Sequence, residues 1–193
     1  MVKAEAGAVY AQKKFKHALQ LYARCLRLDP TNLVFHLNIG AIYLVIGEFD
    51  KCVAECATAV EVGAANTADS KLIAKAHARA GRAHGSKKEA SSAQYIAARD
   101  QYKLALELDR NKDYLSERNR HESNRKAAVE REYVDPLKAQ GAKARGNELY
   151  KKEEYAAAVI EYTDALRRDP HNKAVISRVH CNRAACYSSL GET

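Results

Sequence analysis

The chain has 193 residues, 47% hydrophobic and 29% charged, which suffices to bury a core and excludes a chain disordered by composition. Trp is absent, Phe and Pro occur three times each, and 35 residues are Ala, a composition that favours helices over a sandwich or barrel. The formal charge of +8 points to an acidic partner without choosing among nucleic acid, membrane and peptide. No apolar run approaches the ~18–20 residues of a membrane span. The opening Met1-Val2-Lys3-Ala4-Glu5 lacks the apolar core of a secretory signal. The five cysteines (Cys25, Cys52, Cys56, Cys181, Cys186) have no framework spacing and read as reduced thiols of cytoplasm or nucleus.

Taken in order, the chain repeats itself. Residues 1–32 hold Ala18 and Tyr22, four apart on one helical face, and end in Leu26-Arg27-Leu28-Asp29-Pro30-Thr31-Asn32. Asp29-Pro30 stops a helix, because the residue before Pro is pushed out of the α region. Residues 33–66 follow with Gly40, Tyr43 and the turn Gly47-Glu48-Phe49-Asp50. A third unit, 74–111, carries Ala98, Tyr102 and a weaker copy of the ending, Leu106-Glu107-Leu108-Asp109-Arg110-Asn111. Its Gly85–Ser92 stretch adds about five residues and reads as an extended inter-helix turn. Residues 113–134 are polar, with Tyr114, Leu115, Ala127, Ala128, Val129 and Tyr133 as the apolar positions, and read as a capping helix. The fourth unit, 139–172, restores Ala158, Tyr162 and Leu166-Arg167-Arg168-Asp169-Pro170-His171-Asn172. The fifth, 177–193, stops after one helix at Gly191-Glu192, so the chain reads as a fragment. Four extra residues after Asn172 lengthen either the next helix or its loop. A unit of about 34 residues with two short helices cannot cover its own apolar face, so neighbours must stack into an all-α solenoid.

Gly40 and Tyr43, and Gly146, Tyr150, Tyr155, Ala158, Tyr162, Ala165 and Pro170, resemble the pattern of the tetratricopeptide-repeat family. That resemblance implies two parts: a three-repeat module with its capping helix over 1–134, and the truncated start of a second module over 135–193. No phosphate loop, Gly-x-Ser-x-Gly or His-Glu-x-x-His is present, so a non-enzymatic role is expected, without cofactor or metal. Cys52 and Cys56 share a helical face but have no further ligands nearby and read as buried thiols.

Lys75 and Arg79 stand at i and i+4, where two cations repel unless an anion joins them. From spacing alone they read as a solvated basic face or as an anion site. The stretch Ile73-Ala74-Lys75-Ala76-His77-Ala78-Arg79 is similar to the third repeat of carboxylate-clamp tetratricopeptide domains. Asn182-Arg183-Ala184-Ala185-Cys186-Tyr187 and Tyr162-Thr163-Asp164-Ala165 resemble the co-chaperones that link heat-shock proteins 70 and 90. The resemblance implies a groove that grips the terminal Asp of a Glu-Glu-Val-Asp peptide. It assigns Lys3, Asn38, Lys75 and Arg79 to one clamp, with Gly7 where the family has Asn and Arg82 where it often has another Asn. It assigns Lys143, Asn147 and Asn182 to a second, incomplete one. Gly7 offers no side-chain donor, which costs about 1–3 kcal/mol if the carboxylate is left short.

The implied partner is the acidic C-terminus of heat-shock protein 90, with that of heat-shock protein 70 as the second candidate. Two other readings compete. One is a degenerate scaffold whose groove has lost its ligand, motivated by Gly7 and the interrupted third unit. The other is a basic solenoid on nucleic acid, since residues 110–152 carry twelve Lys or Arg against seven Asp or Glu. Those charges are mixed in sign along an exposed helix, which disfavours nucleic acid, and nothing favours a membrane.

Overall fold

The computed structural model describes residues 2–191, and Glu192 of the expected last turn lies outside them. Among the described residues every regular element is a helix: α1 (Val2–Ala11), α2 (Phe15–Leu28), α3 (Leu33–Ile46), α4 (Phe49–Ala65), α5 (Ser70–Gly85), α6 (Ser92–Leu108), α7 (Lys112–Tyr133), α8 (Pro136–Lys151), α9 (Tyr155–Arg168) and α10 (Lys173–Leu190). The chain forms two compact units, Met1–Ala128 and Val129–Thr193, so the last five residues of α7 belong with α8–α10.

Local chemistry sets the ends. Asp29, Asp109 and Asp169 close α2, α6 and α9, the first and last before Pro. Asn32, Asp69, Asp135 and Asn172 cap α3, α5, α8 and α10 by accepting backbone N–H bonds, and Pro136 opens α8 where its missing donor costs nothing. Two helices begin a turn earlier than the repeat register expects. α5 starts at Ser70 rather than 74, and α10 starts at Lys173 rather than 177, so the four extra residues lengthen the helix. The expected extended turn is a six-residue connection, 86–91, followed by a capping box between Ser91 and Gln94. Lys87 holds it to Asp50 at the start of α4, 2.8 Å away.

Three inter-helix turns share one backbone. Lys14, Glu48 and Glu154 precede α2, α4 and α9 with φ/ψ of −83/64, −82/66 and −82/60. The residue before each has positive φ: Lys13 59°, Gly47 83°, Glu153 64°. The aromatics that open these helices pack back across the turn, as in Tyr10–Phe15 (5.9 Å) and Tyr150–Tyr155 (5.3 Å).

Within each pair the helices approach over small residues. A Cβ on Gly81 would stand 2.9 Å from the Tyr102 ring, and one on Gly146 2.8 Å from the Tyr162 ring. Ala18, Ala59, Ala98, Ala105, Ala158 and Ala165 are fully buried. α3 is apolar around its circumference because it serves two cores. Phe35, Ile39 and Ile42 face Ala18, Leu21 and Tyr22, whereas Leu33 and Leu37 face Cys52, Cys56 and Ala76. Successive helices from α1 to α6 pack on one another, the stacking a solenoid requires. In the second unit Ala142, Ala158, Tyr162, Ala165, Val179 and Cys186 form the core.

The helix expected over 113–134 is α7, and its expected apolar positions divide between core and surface. Leu115 and Val129 are 42% and 44% exposed, while Ala128 and the fully buried His121 face inward. The His121 ring stacks on Tyr102 at 5.6 Å and lies against Tyr95 at 5.9 Å. It fits because Gly85 has no side chain: a Cβ there would stand 2.1 Å from the ring. Burial and the Arg120 charge hold the His121 pKa below its ordinary value, against the pull of Glu117 at 3.7 Å. Glu122 links the helix to α6 through Arg99 (3.1 Å), and with Arg125 (2.8 Å) this lowers its pKa to about 2.

Candidate functional site

In the second unit, Asn147 on α8 and Asn182 on α10 meet over Tyr162 of α9. Asn147 Oδ1 accepts from the Tyr162 hydroxyl at 2.8 Å and from Asn182 Nδ2 at 3.0 Å, and Asn182 Nδ2 also reaches the Tyr162 hydroxyl at 3.4 Å. With its oxygen doubly engaged, Asn147 keeps its amide nitrogen as a donor without a partner among the described residues. Burial raises the Tyr162 pKa, partly offset by Asn182. The three residues line a cavity of about 910 Å3 together with Arg145, Lys151 and Lys152. Arg145 is paired with Glu161 (2.8 Å) and Lys151 with Glu148 (2.9 Å). Lys143 lies one turn before Asn147, half-buried, outside the cavity lining.

The first unit has the same frame with one member missing. Counting 140 residues back from Asn147 and Tyr162 gives Gly7 and Tyr22, and Asn38 corresponds to Asn182 once the four added residues of α10 are removed. Burial raises the Tyr22 pKa, partly offset by the Asn38 side chain. A Cβ on Gly7 meets no atom within 4 Å, so the place of the missing amide is open.

α5 brings the cations. Arg79 Nη1 donates to the carbonyl of Leu37, the residue before Asn38, which ties the guanidinium to α3 beside the amide. Lys75, Arg79 and Arg82 line a cavity of about 180 Å3 with Tyr102 of α6 and Tyr114 of α7. Among the described residues no carboxylate lies within ion-pair distance of Lys75, Arg79 or Arg82. Burial raises the Tyr102 pKa, with the Arg82 guanidinium pulling it back down. Arg79 thus reaches the backbone one residue before Asn38, whereas Asn38 itself and Lys3, exposed on α1, line neither cavity. Sequence reasoning missed the tyrosines: Tyr162 and Tyr102 are repeat positions that read as packing residues, and only the fold turns their hydroxyls toward the amide and the guanidinium.

Among the described residues no group of three His, Cys, Asp or Glu is placed to hold a metal. Cys52 and Cys56 are buried free thiols whose mutual interaction lowers the Cys52 pKa and raises that of Cys56, burial adding to the rise.

Residues 9–79 match the family model described as tetratricopeptide repeat. The N-terminal domain of stress-induced protein-1 from Caenorhabditis elegans is 34% identical, with 91% of its chain and 63% of this one covered and a TM-score of 0.57. The chain belongs to the tetratricopeptide-repeat family. Its fold is similar over nearly its whole length to the TPR2AB domain of yeast Sti1, solved as a pHSP90 complex: 28% identity, 98% of this chain and 69% of that chain covered, TM-score 0.72. The Hsp70-Hsp90 organizing protein of Triticum aestivum is 38% identical over 188 residues. This tetratricopeptide-repeat chain spans 32% of that relative's length.

Proposed function

We propose that the chain is a non-enzymatic adaptor whose repeats bind the acidic C-terminal peptide of heat-shock protein 90, or that of heat-shock protein 70, through a carboxylate clamp. The carrying observation is the set of three α5 cations, Lys75, Arg79 and Arg82, around one cavity without a carboxylate among the described residues. Three like charges on one face raise the energy of the free protein, and a bound anion relieves it. Arg79 and Arg82 present planar forks to carboxylates, Lys75 a mobile point charge, and Asn38 an amide. Lys3 completes the clamp from α1 by swinging its long side chain over the open place at Gly7.

In the second unit Lys143, Asn147 and Asn182 form the corresponding half-clamp, which supplies amide donors but lacks the cations of a following repeat. It therefore binds a carboxylate more weakly than the first. Free thiols at all five cysteines suit the reducing cytoplasm or nucleus. Among the described residues no helix is long and apolar enough to cross a membrane.

The test is a titration of labelled Met-Glu-Glu-Val-Asp, as free acid and as C-terminal amide, followed by anisotropy. The acid should bind at least about tenfold more tightly, since a lost charge-assisted hydrogen bond is worth about 1.5–3 kcal/mol. Equal affinity for acid and amide would falsify the clamp.

A further inference from the structure

The turn into α2 differs from its two internal equivalents in charge, not in shape. Lys14, Glu48 and Glu154 occupy the same backbone conformation before Phe15, Phe49 and Tyr155, and none makes a side-chain cap hydrogen bond. The acidic residue at the other two turns complements the positive end of the following helix dipole. At α2 the sign is reversed. Lys13 and Lys14 replace Glu153 and Glu154, Lys16 and His17 fill the first turn where α4 has Asp50, and α2 has no acidic residue there. The backbone gains nothing from this reversal, because the glutamate version builds the same turn elsewhere in the chain.

The four basic residues rim a trough of about 670 Å3 floored by Phe15, Leu19 and Ile46, the last 43% exposed. Neighbouring Val45 is 58% exposed. Among the described residues no carboxylate pairs with Lys13, Lys14, Lys16 or His17, and the one acid in the rim, Glu48, is paired with Lys51 at 3.3 Å. None of the trough's residues lines the α5 cavity.

We infer that this corner is a second docking surface, taking an acidic segment of a partner protein that inserts apolar side chains between its carboxylates. Charge complementarity selects an anion, and the apolar floor asks for more than a bare one. The concave shape selects a peptide over a bilayer: side chains enter a trough, whereas a lipid surface is met by apolar residues that protrude. The site reads internal acidic residues, so it requires no terminal carboxylate.

The probe is fluorescein-labelled Glu-Leu-Asp-Glu-Phe-Asp-Glu-Leu-Asp amide, titrated into the full chain by anisotropy and into the 15N-labelled chain by amide shift mapping. The expected result is saturable binding, with the largest shifts over residues 13–19 and at Ile46, and no displacement by free Met-Glu-Glu-Val-Asp. The double substitution Lys13→Glu, Lys14→Glu copies the charge of the turn at 153–154, so the fold is retained. It should weaken the amidated peptide at least about tenfold and leave the free-acid peptide unchanged. Shifts confined to α5, displacement by the free-acid peptide, retained affinity in the double variant, or no saturable binding would each overturn the inference. Sedimentation of the chain with phosphatidylserine vesicles, dependent on Lys13 and Lys14 and without shifts from the peptide, would assign the corner to lipid instead. Failure of the free-acid peptide alone would count against the α5 clamp and leave this surface standing.

Discussion

Gly7→Asn restores to the first unit the amide that the second unit has at Asn147. Nothing within 4 Å opposes a Cβ at Gly7, so the side chain enters open space at the position equivalent to Asn147. In the second unit the same three-residue frame closes with bonds of 2.8 and 3.0 Å onto Asn147 Oδ1 and turns its nitrogen outward. An amide donating to a carboxylate is worth about 1.5–3 kcal/mol, so the affinity for free-acid Met-Glu-Glu-Val-Asp should rise at least about tenfold. The helix should gain as well: replacing Gly inside a helix recovers a few tenths of a kcal/mol, about 0.3. Isothermal calorimetry with the acid and the amide separates the two effects, since the helix gain is blind to the ligand's terminus. A rise that is equal for acid and amide would refute the reasoning, and so would no rise in a variant whose melting temperature has increased.

Lys75→Ala and Arg79→Ala should each weaken the free-acid peptide about tenfold or more, and Arg79→Ala should also lower stability because its bond to Leu37 is lost; anisotropy and urea melts read the two effects separately. Gly85→Ala should destabilise the first unit by about 2 kcal/mol or more through overlap with His121, and His121→Ala in the same chain should recover most of it, the non-additivity being visible in a double-mutant cycle. Stability should fall as pH drops through the ordinary histidine range near ~6.5, because the unfolded chain then takes up a proton that buried His121 refuses. The loss should continue until the lower folded pKa is reached, with His84, also held low by burial, acting in the same direction. His121→Phe should flatten the dependence of the urea midpoint between pH 7.5 and 5.5 by its share; an unchanged slope would assign the effect elsewhere.

The helical pairs were legible because their markers are local and repeated: an Ala and an aromatic four apart, then Asp-Pro. What the register concealed was also local. Asp69 and Asn172 are good caps that start α5 and α10 a turn before the repeat pattern begins, and a consensus of 34 residues gives no reason to look there. α7 was legible as a helix, and Ala128 and Tyr114 among its expected apolar positions do pack, but Leu115 and Val129 stay exposed. The buried anchor is a histidine admitted by a glycine 36 positions earlier. Lys75, Arg79, Asn147 and Asn182 could be named from the resemblance. That Tyr162 joins the two asparagines, or that Arg79 leans on the backbone beside Asn38, depends on helices that meet only in three dimensions.

The network around Asn147 separates what holds the second unit together from what it presents. Both bonds to this residue are received by its oxygen, so its nitrogen carries no structural duty among the described residues. Asn147→Asp would keep the acceptor and exchange that nitrogen for a charged oxygen, leaving the frame of α8, α9 and α10 assembled while inverting the polarity shown to a ligand. That exchange would set a negative charge beside Tyr162 in a cavity that Arg145, Lys151 and Lys152 also line. A repeat scaffold built this way can change clientele at a single codon without being rebuilt.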